Sequence, residues 1–361
     1  MPVDAPFQWN VALVGASSLK GKELKSVFED RGFPLGKLAL LDAGELQGQL
    51  TEFDGEPAIV EAVSRESFEK MDVALFACAP AFTEQHWREA EAAGCRVLDL
   101  SYFLESHPGA RLRAPLVEPL WEDAARRPVA PGPGSGSVVV AAHPAAMAIA
   151  GILALLSRRA SVVRSSVLVL EPVSEHGRGG VDELHRQTVS LLSFQELPRK
   201  VFDSQVAFNL LSRYGEESRP SLREAQERIA SHLRRLLDGR SPAPALRLLQ
   251  APVFHGYCFS FFVELSDTVP AEEIEAALNH KPFCLAREGD VQPDVVGAAG
   301  SDEILLGAVE RDPACGAGYW IWGALDNLRV AALNAELVAE EMVHAEGRGN
   351  PPGKAGSAEA P

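Results

Sequence analysis

The sequence predicts an α/β protein: a doubly wound, mostly parallel sheet followed by a region of α+β character. Three observations carry this. Short apolar runs alternate with helical segments from residue 10 to about residue 100. A glycine turn, Gly15-Ala-Ser-Ser-Leu-Lys-Gly21, joins the first strand to the first helix. Beyond about residue 140 the strands lengthen and no longer alternate one for one with helices.

The elements follow in order. Asn10 to Gly15 is a short apolar run closed by glycine, the pattern of a buried strand, and Lys22 to Arg31 has helical periodicity. Leu38 to Leu41 is a second strand, closed by Asp42; Val73 to Ala77 is a third, followed by a helix through Ala93; Arg96 to Leu100 is a fourth. Arg127 to Ser137 is rich in Pro, Gly and Ser and reads as a loop before the strand Val138 to Ala142 and the buried helix Ala145 to Ser157. Strands are then expected at Ser165 to Glu171, Leu246 to Val253 and Cys258 to Glu264, with helices at Gly180 to Ser193, Ser221 to Leu237 and Asp326 to His344. No internal repeat is evident. The division is a first domain over 1–140, completed by helix 326–344, a second over 141–325, and a Gly/Pro-rich disordered tail over 346–361.

Composition narrows the function. With 34 Lys and Arg against 50 Asp and Glu the net charge is -16, which argues against a nucleic-acid surface. No apolar run reaches the roughly 20 residues of a membrane span, and the N-terminus has no secretory pattern. The five cysteines are scattered without metal-ligand spacing, as expected of free thiols in a reducing cytoplasm. His176 and His185 form no ligand pattern, and no metal site is assigned.

The glycine turn follows a strand and opens a helix, where backbone N–H groups can hold a pyrophosphate. Ser18 stands where a three-glycine pattern has its middle glycine, and Asp42 is placed to accept a ribose 2′-OH. Gly15 and Gly21 serve either a nucleotide or only the turn and its packing.

Together these segments resemble the aspartate-semialdehyde dehydrogenase family from Val11 to about Val343. Val14 to Gly21 is similar to its cofactor loop, Val173 to Thr188 to its Ser-Gly-Ala-Gly…Glu-Leu segment, and Phe202 to Asn209 to its Gln-x-Ala-Phe-Asn motif. Asp326-Asn-Leu-Arg-Val-Ala-Ala-Leu-Asn334 is similar to its Asp-Asn-Leu-Arg motif. The resemblance implies a Rossmann-type dinucleotide-binding domain, an α+β catalytic and dimerisation domain, and a homodimer. It also implies cofactor contacts at Gly15, Ser17, Ser18, Gly21, Asp42 and Asn327. NAD is favoured over NADP, because Glu45 fills the family's Arg position for a 2′-phosphate and Asp42 adds a second negative charge.

The same resemblance locates departures from the family's chemistry, which uses a thiolate nucleophile, an acid/base His and cationic substrate grips. The nucleophile position at the start of a helix is Ala146, with no neighbouring Ser, Thr or Cys. The acid/base position is Tyr257, and the family's Gln position is Glu171. The carboxylate-gripping Arg is Gln250, the phosphate-gripping Arg is Glu105, and the phosphate-gripping Lys aligns loosely with Ser221. His143 and His255 lie near the expected cleft, as acid/base groups or as local hydrogen bonders. Cys78 and Cys258 read as small buried residues rather than relocated nucleophiles. Trp320 and Trp322 are expected to flank a strand, in core or interface. The expectation is a catalytically inactive homologue that acts on an unidentified small molecule or protein partner; the alternative is an active NAD(P)-dependent dehydrogenase of amino-acid biosynthesis.

Overall fold

The computed structural model describes residues 8–121, 138–286 and 290–344; the expected loop at 127–137 and tail at 346–361 lie outside them. The first region contains β1 (Trp9–Val14), α1 (Leu19–Arg31), β2 (Leu35–Asp42), the hairpin β3 (Leu50–Phe53) and β4 (Glu56–Ile59), β5 (Glu61–Ala62) and β6 (Val73–Phe76). It continues through α2 (Pro80–Ala92), β7 (Arg96–Asp99), β8 (Arg111–Arg113) and β9 (Val138–Ala141). Seven of these strands form one parallel sheet in the order β5-β2-β1-β6-β7-β9-β8. The chain runs from β1 to β2 on one side and returns to β6 on the other, so the strand order reverses at the C-terminal end of β1. Such a reversal opens a crevice at the sheet's carboxyl edge.

The second region begins with α3 (Pro144–Leu156), β10 (Val162–Glu171), α4 (Gly177–Leu192), α5 (Leu222–Leu237), β11 (Ala245–Gln250) and β12 (Tyr257–Leu265). After α6 (Ala271–Leu278) come β13 (Phe283–Leu285), β14 (Ile304–Leu306), β15 (Glu310–Arg311), β16 (Gly318–Leu325) and α7 (Asn327–His344). Its sheet is mixed, in the order β11-β10-β12-β16-β14-β13 with β15 paired to β16. Every residue of α3 is buried, as its unbroken apolar sequence requires. Gly151 lets Phe283 approach, since a Cβ there would lie 2.6 Å from its ring. Helix α7 packs on α1, β7 and β9.

Several elements depart from expectation for identifiable reasons. Helix α1 starts three residues early, at Leu19, because Ser18 caps it: its hydroxyl accepts from Gly21 N at 2.9 Å. Strand β11 ends at Gln250 instead of reaching Val253, because Pro252 has no N–H for a ladder. Helix α4 begins in a glycine-rich stretch, at Gly177, that propensity disfavours. The hairpin β3–β4 has no clean apolar alternation and is not legible from pattern. Trp320 and Trp322 lie inside β16 rather than flanking a strand, and both are exposed rather than core.

Candidate functional site

At the crevice, Gly15 has φ +87°, and a Cβ there would lie 2.8 Å from Cys78 Cβ; one at Gly21 would lie 2.1 Å from Gly15 O. Both glycines are therefore required by packing of the turn. The Ser18 hydroxyl donates to Ala77 O at 2.6 Å, tying the turn to the end of β6. The Asp42 carboxylate accepts from Ser17 N and Ala43 N, each at 2.9 Å, and the Ser17 hydroxyl donates to Gln49 Oε1 at 3.1 Å. The first amides of α1 have no intrahelical acceptor, so the turn suits the phosphates of a nucleotide.

Across the cleft, α3 starts with Pro144 at N1 and His143 as its cap, whose Nδ1 accepts from Ala145 N at 3.2 Å. Ala146, in the first turn of the helix, is fully buried. With Nδ1 an acceptor, His143 Nε2 carries the proton and faces Tyr257 Oη at 3.3 Å. The Tyr257 hydroxyl in turn faces Glu171 Oε2 at 3.4 Å. Burial holds His143 well below the ordinary histidine range, reinforced by the charges of His232, Lys20 and Arg228. Burial also lifts Tyr257 well above the ordinary tyrosine range, helped by Glu175 and Glu171.

The other oxygen of Glu171 lies 3.0 Å from His176 Nε2, which also lies 2.9 Å from Tyr214 Oη. Tyr214 donates to Gln250 Oε1 at 2.6 Å, and Gln250 Nε2 donates to the carbonyls of Glu171 and Ala251, both at 2.7 Å. Glu171, Gln250 and Tyr257 are each at most 1% exposed. The three positions thus meet in one buried hydrogen-bonded chain, with two further members: Tyr214, which the sequence does not single out, and His176, which it weighs only as a metal ligand. The spacing Glu171…His176 on either side of a tight turn was the available signal.

Glu105 does not stand as a bare negative charge. The buried Asp99 accepts from Ser101 N, the Ser101 hydroxyl and Leu104 N at 2.7, 2.6 and 2.8 Å, shaping the turn that carries Tyr102 and Glu105. Glu105 then receives Arg228 Nε at 3.2 Å and His232 Nε2 at 3.1 Å, both from α5. Burial opposes the Glu105 charge, but the His232 hydrogen bond and the Arg228 charge outweigh it and hold this carboxyl below the usual range. His232 Nδ1 accepts from His143 N at 3.1 Å, joining this cluster to the start of α3. Ser221 caps α5, accepting from Glu224 N at 3.2 Å.

Tyr102 occupies the space between these groups. It is 7% exposed and sits at φ +69°, a conformation that costs an L-residue roughly 1–2 kcal/mol. Its ring centroid lies 5.6 Å from that of His143 and 5.5 Å from that of His232. Lys20 Nζ and Arg228 Cζ lie 4.5 and 5.2 Å from the ring centre. Burial pushes the Tyr102 phenol up to about 12. Tyr102, Lys20, Arg228 and His232 were not singled out from sequence, because nothing local links them.

The remaining candidates sit apart. Cys78 contacts Thr83 Oγ1 at 3.2 Å, and burial pushes its thiol up to about 12, away from nucleophilic character. Burial pushes the Cys258 thiol up to about 11, and it packs with Ala298 and Ala324. His255 Nδ1 is buried without a hydrogen-bond partner, and His185 is exposed on α4. Asn327 is fully buried: its amide donates to Ser174 Oγ at 3.1 Å and Glu175 Oε1 at 2.7 Å and accepts from Gly256 N at 2.9 Å. No helix among the described residues is long and apolar enough to cross a membrane.

Comparison with known proteins agrees with this architecture. The family described as semialdehyde dehydrogenase, NAD binding domain, matches residues 10–127, and semialdehyde dehydrogenase, dimerisation domain, matches residues 153–330. A USG-1 protein homolog of Azotobacter vinelandii is 32% identical over 92% of this chain and 97% of the relative. A USG-1 protein homolog of Pseudomonas aeruginosa is 34% identical over the same shares, 92% and 97%. A solved structure described as a probable aspartate-semialdehyde dehydrogenase from Pseudomonas aeruginosa is 32% identical, superposes with a TM-score of 0.82, and is matched over 93% of this chain and 99% of that one. With both halves matched in order on a parallel nucleotide-binding sheet and a mixed second sheet, this chain belongs to the semialdehyde dehydrogenase family.

Proposed function

We infer that this protein is a catalytically inactive member of its family that keeps a nucleotide site and a dimerising sheet. The observation that carries the reading is Ala146, a fully buried methyl at the helix start where the resemblance puts a thiolate. A methyl group cannot attack a carbonyl, and Ala145 and Met147 on either side supply no alternative. The filled cleft supports the same reading. Glu105 is paired with Arg228 and His232, and His143, Tyr257, Glu171, Tyr214 and Gln250 are linked in one chain of contacts, so a small anionic substrate meets cationic groups that are already engaged.

The nucleotide site favours an unphosphorylated ribose, as in NAD, over a 2′-phosphate, as in NADP, because Asp42 and Glu45 stand at the adenosine side. The homodimer forms through the outer face of the second sheet. Strand alternation points Phe259, Phe261, Tyr319 and Ile321 inward and leaves Phe262, Trp320, Trp322 and Leu168 outward. Phe262 faces Trp320 across the β12–β16 ladder with ring centroids 5.0 Å apart, an apolar patch suited to self-association. The domain division is 1–140 with 326–344, and 141–325. The free cysteines fit a reducing cytoplasm.

The deciding experiment assays purified protein with aspartate semialdehyde, phosphate and NAD or NADP, beside calorimetric titration of the same cofactors. Binding without turnover is expected. Turnover within about a hundredfold of an authentic dehydrogenase, a difference of about 2.7 kcal/mol in barrier, overturns the reading.

A further inference from the structure

The crevice above β1 has two halves, and this chain furnishes them differently. A nucleotide whose phosphates rest on the first turn of α1 extends toward the end of β2 on one side. A dinucleotide extends its second nucleoside over the ends of β6, β7 and β9 on the other. Toward β2, Asp42 is 8% exposed and held by two backbone amides, and residues 44–49 beyond it are exposed.

Toward β7 the space is taken by the protein's own side chains. Lys20, from the first turn of α1, runs across it: Nζ lies 3.4 Å from Leu100 O at the end of β7, 4.5 Å from the centre of the Tyr102 ring and 3.8 Å from Glu175 Oε2. Glu175 stands on the turn after β10 and is tied down by Asn327 Nδ2 at 2.7 Å. The Lys20 and Glu175 side chains are only 17% and 7% exposed. Burial opposes the Lys20 charge, but Tyr102 and Glu175 outweigh it and keep the ammonium firmly protonated. Asn327 has given both its hydrogens to Ser174 and Glu175 and its oxygen to Gly256, so it offers nothing to a carboxamide. A nicotinamide ring and its ribose therefore do not fit this half of the crevice unless the pair opens and the ring of Tyr102 moves.

We propose that the Lys20–Glu175 pair closes the nicotinamide half of the crevice, so that the site takes a nucleoside diphosphate and holds only that half of a dinucleotide. The inference rests on the nucleotide site read above and specifies what it accepts. Phosphates meet the α1 amides, the ribose meets Asp42, and the second nucleoside of NAD stays in solvent.

The test is calorimetric titration of the full chain with ADP, NAD and nicotinamide mononucleotide, together with emission spectra of NADH in its presence. ADP and NAD are expected to bind within about threefold of each other, since the nicotinamide half adds no contact. Nicotinamide mononucleotide gives no heat, and bound NADH keeps the emission maximum of free NADH. Glu175→Ala is expected to tighten NAD by about fivefold or more while leaving ADP within about twofold. NAD binding about tenfold or more tighter than ADP in the wild type overturns the inference while leaving the nucleotide site intact, as does an unchanged NAD-to-ADP ratio in Glu175→Ala. If neither ADP nor NAD binds, the nucleotide reading fails and this inference with it.

Discussion

Nε2 of His143 and the hydroxyl of Tyr257 stand 3.3 Å apart at the base of the cleft, joined as two neutral groups. Burial lowers the first and raises the second, moving both away from neutrality in opposite directions. Neither is poised to exchange a proton near pH 7, where a general acid or base is most effective.

Restoring the nucleophile alone is therefore expected to fail. Ala146→Cys puts a thiol at the start of α3, but at a fully buried position, with Tyr257 and Glu105 unchanged. Positioning alone can account for roughly 7–11 kcal/mol of a barrier. Turnover with aspartate semialdehyde and phosphate should stay near background, and the thiol should alkylate slowly in the folded protein. Rapid turnover in a steady-state assay would show that the site is misread.

Glu105 neutralises the basic face of α5. In Glu105→Ala, Arg228 and His232 lose their carboxylate, at an expected cost of about 1–3 kcal/mol in urea denaturation. The freed guanidinium and imidazole should then bind an inorganic anion. Phosphate is expected to raise the melting temperature of the variant more than that of the wild type. Equal shifts in the two proteins would count against Glu105 acting as an internal anion.

His143 sets a pH dependence. Its folded form holds a proton less readily than the unfolded chain, whose value is near 6.5. Below that pH the unfolded state binds more protons, so stability rises with pH up to about 6.5 and then levels, by at most about 1.4 kcal/mol per unit from this group. His232, lowered first by burial, acts in the same direction. Glu336, pushed up to about 7 by burial, acts oppositely between pH 4.5 and 7. The measurement is thus a difference: the acid-side slope of unfolding free energy should be shallower in His143→Gln than in wild type.

Trp320→Arg should convert a dimer into a monomer. The indole is 40% exposed beside Phe262 on the outer face of the second sheet, and a guanidinium there would bring a charge into the apolar contact between copies even when paired with Asp312, whose carboxylate accepts from the indole at 2.7 Å. Light scattering at micromolar concentration distinguishes the two. A wild-type protein of monomer mass would refute the assembly itself.

Selectivity at the ribose should favour NAD over NADP, and ADP over its 2′-phosphorylated form. Glu45→Arg is expected to narrow or reverse that order by replacing repulsion with a phosphate partner. Tighter binding of NADP than NAD by the wild type would contradict the placement of Asp42 and Glu45 at the ribose.

What the sequence alone determined was local and periodic. The apolar runs at β1, β6, β7 and β9, the glycine turn and the unbroken apolar helix α3 each announce themselves, because strand and helix burial leave periods that a single chain displays. The motif at Asp326–Asn334 located the family, and position 146 was legible as alanine without any coordinates. The tertiary structure decided which distant groups satisfy one another. Glu105 read as an isolated acid until α5, more than 120 residues later, brought Arg228 and His232 to it. Lys20 and Glu175 carry no signal in their neighbours, yet they meet across the crevice because the turn after β10 faces the first turn of α1. Ser18 looked like a missing glycine and proved to be a helix cap tied to Ala77. A buried polar group must find a partner, but its type says only that one is needed; the fold determines which residue that is.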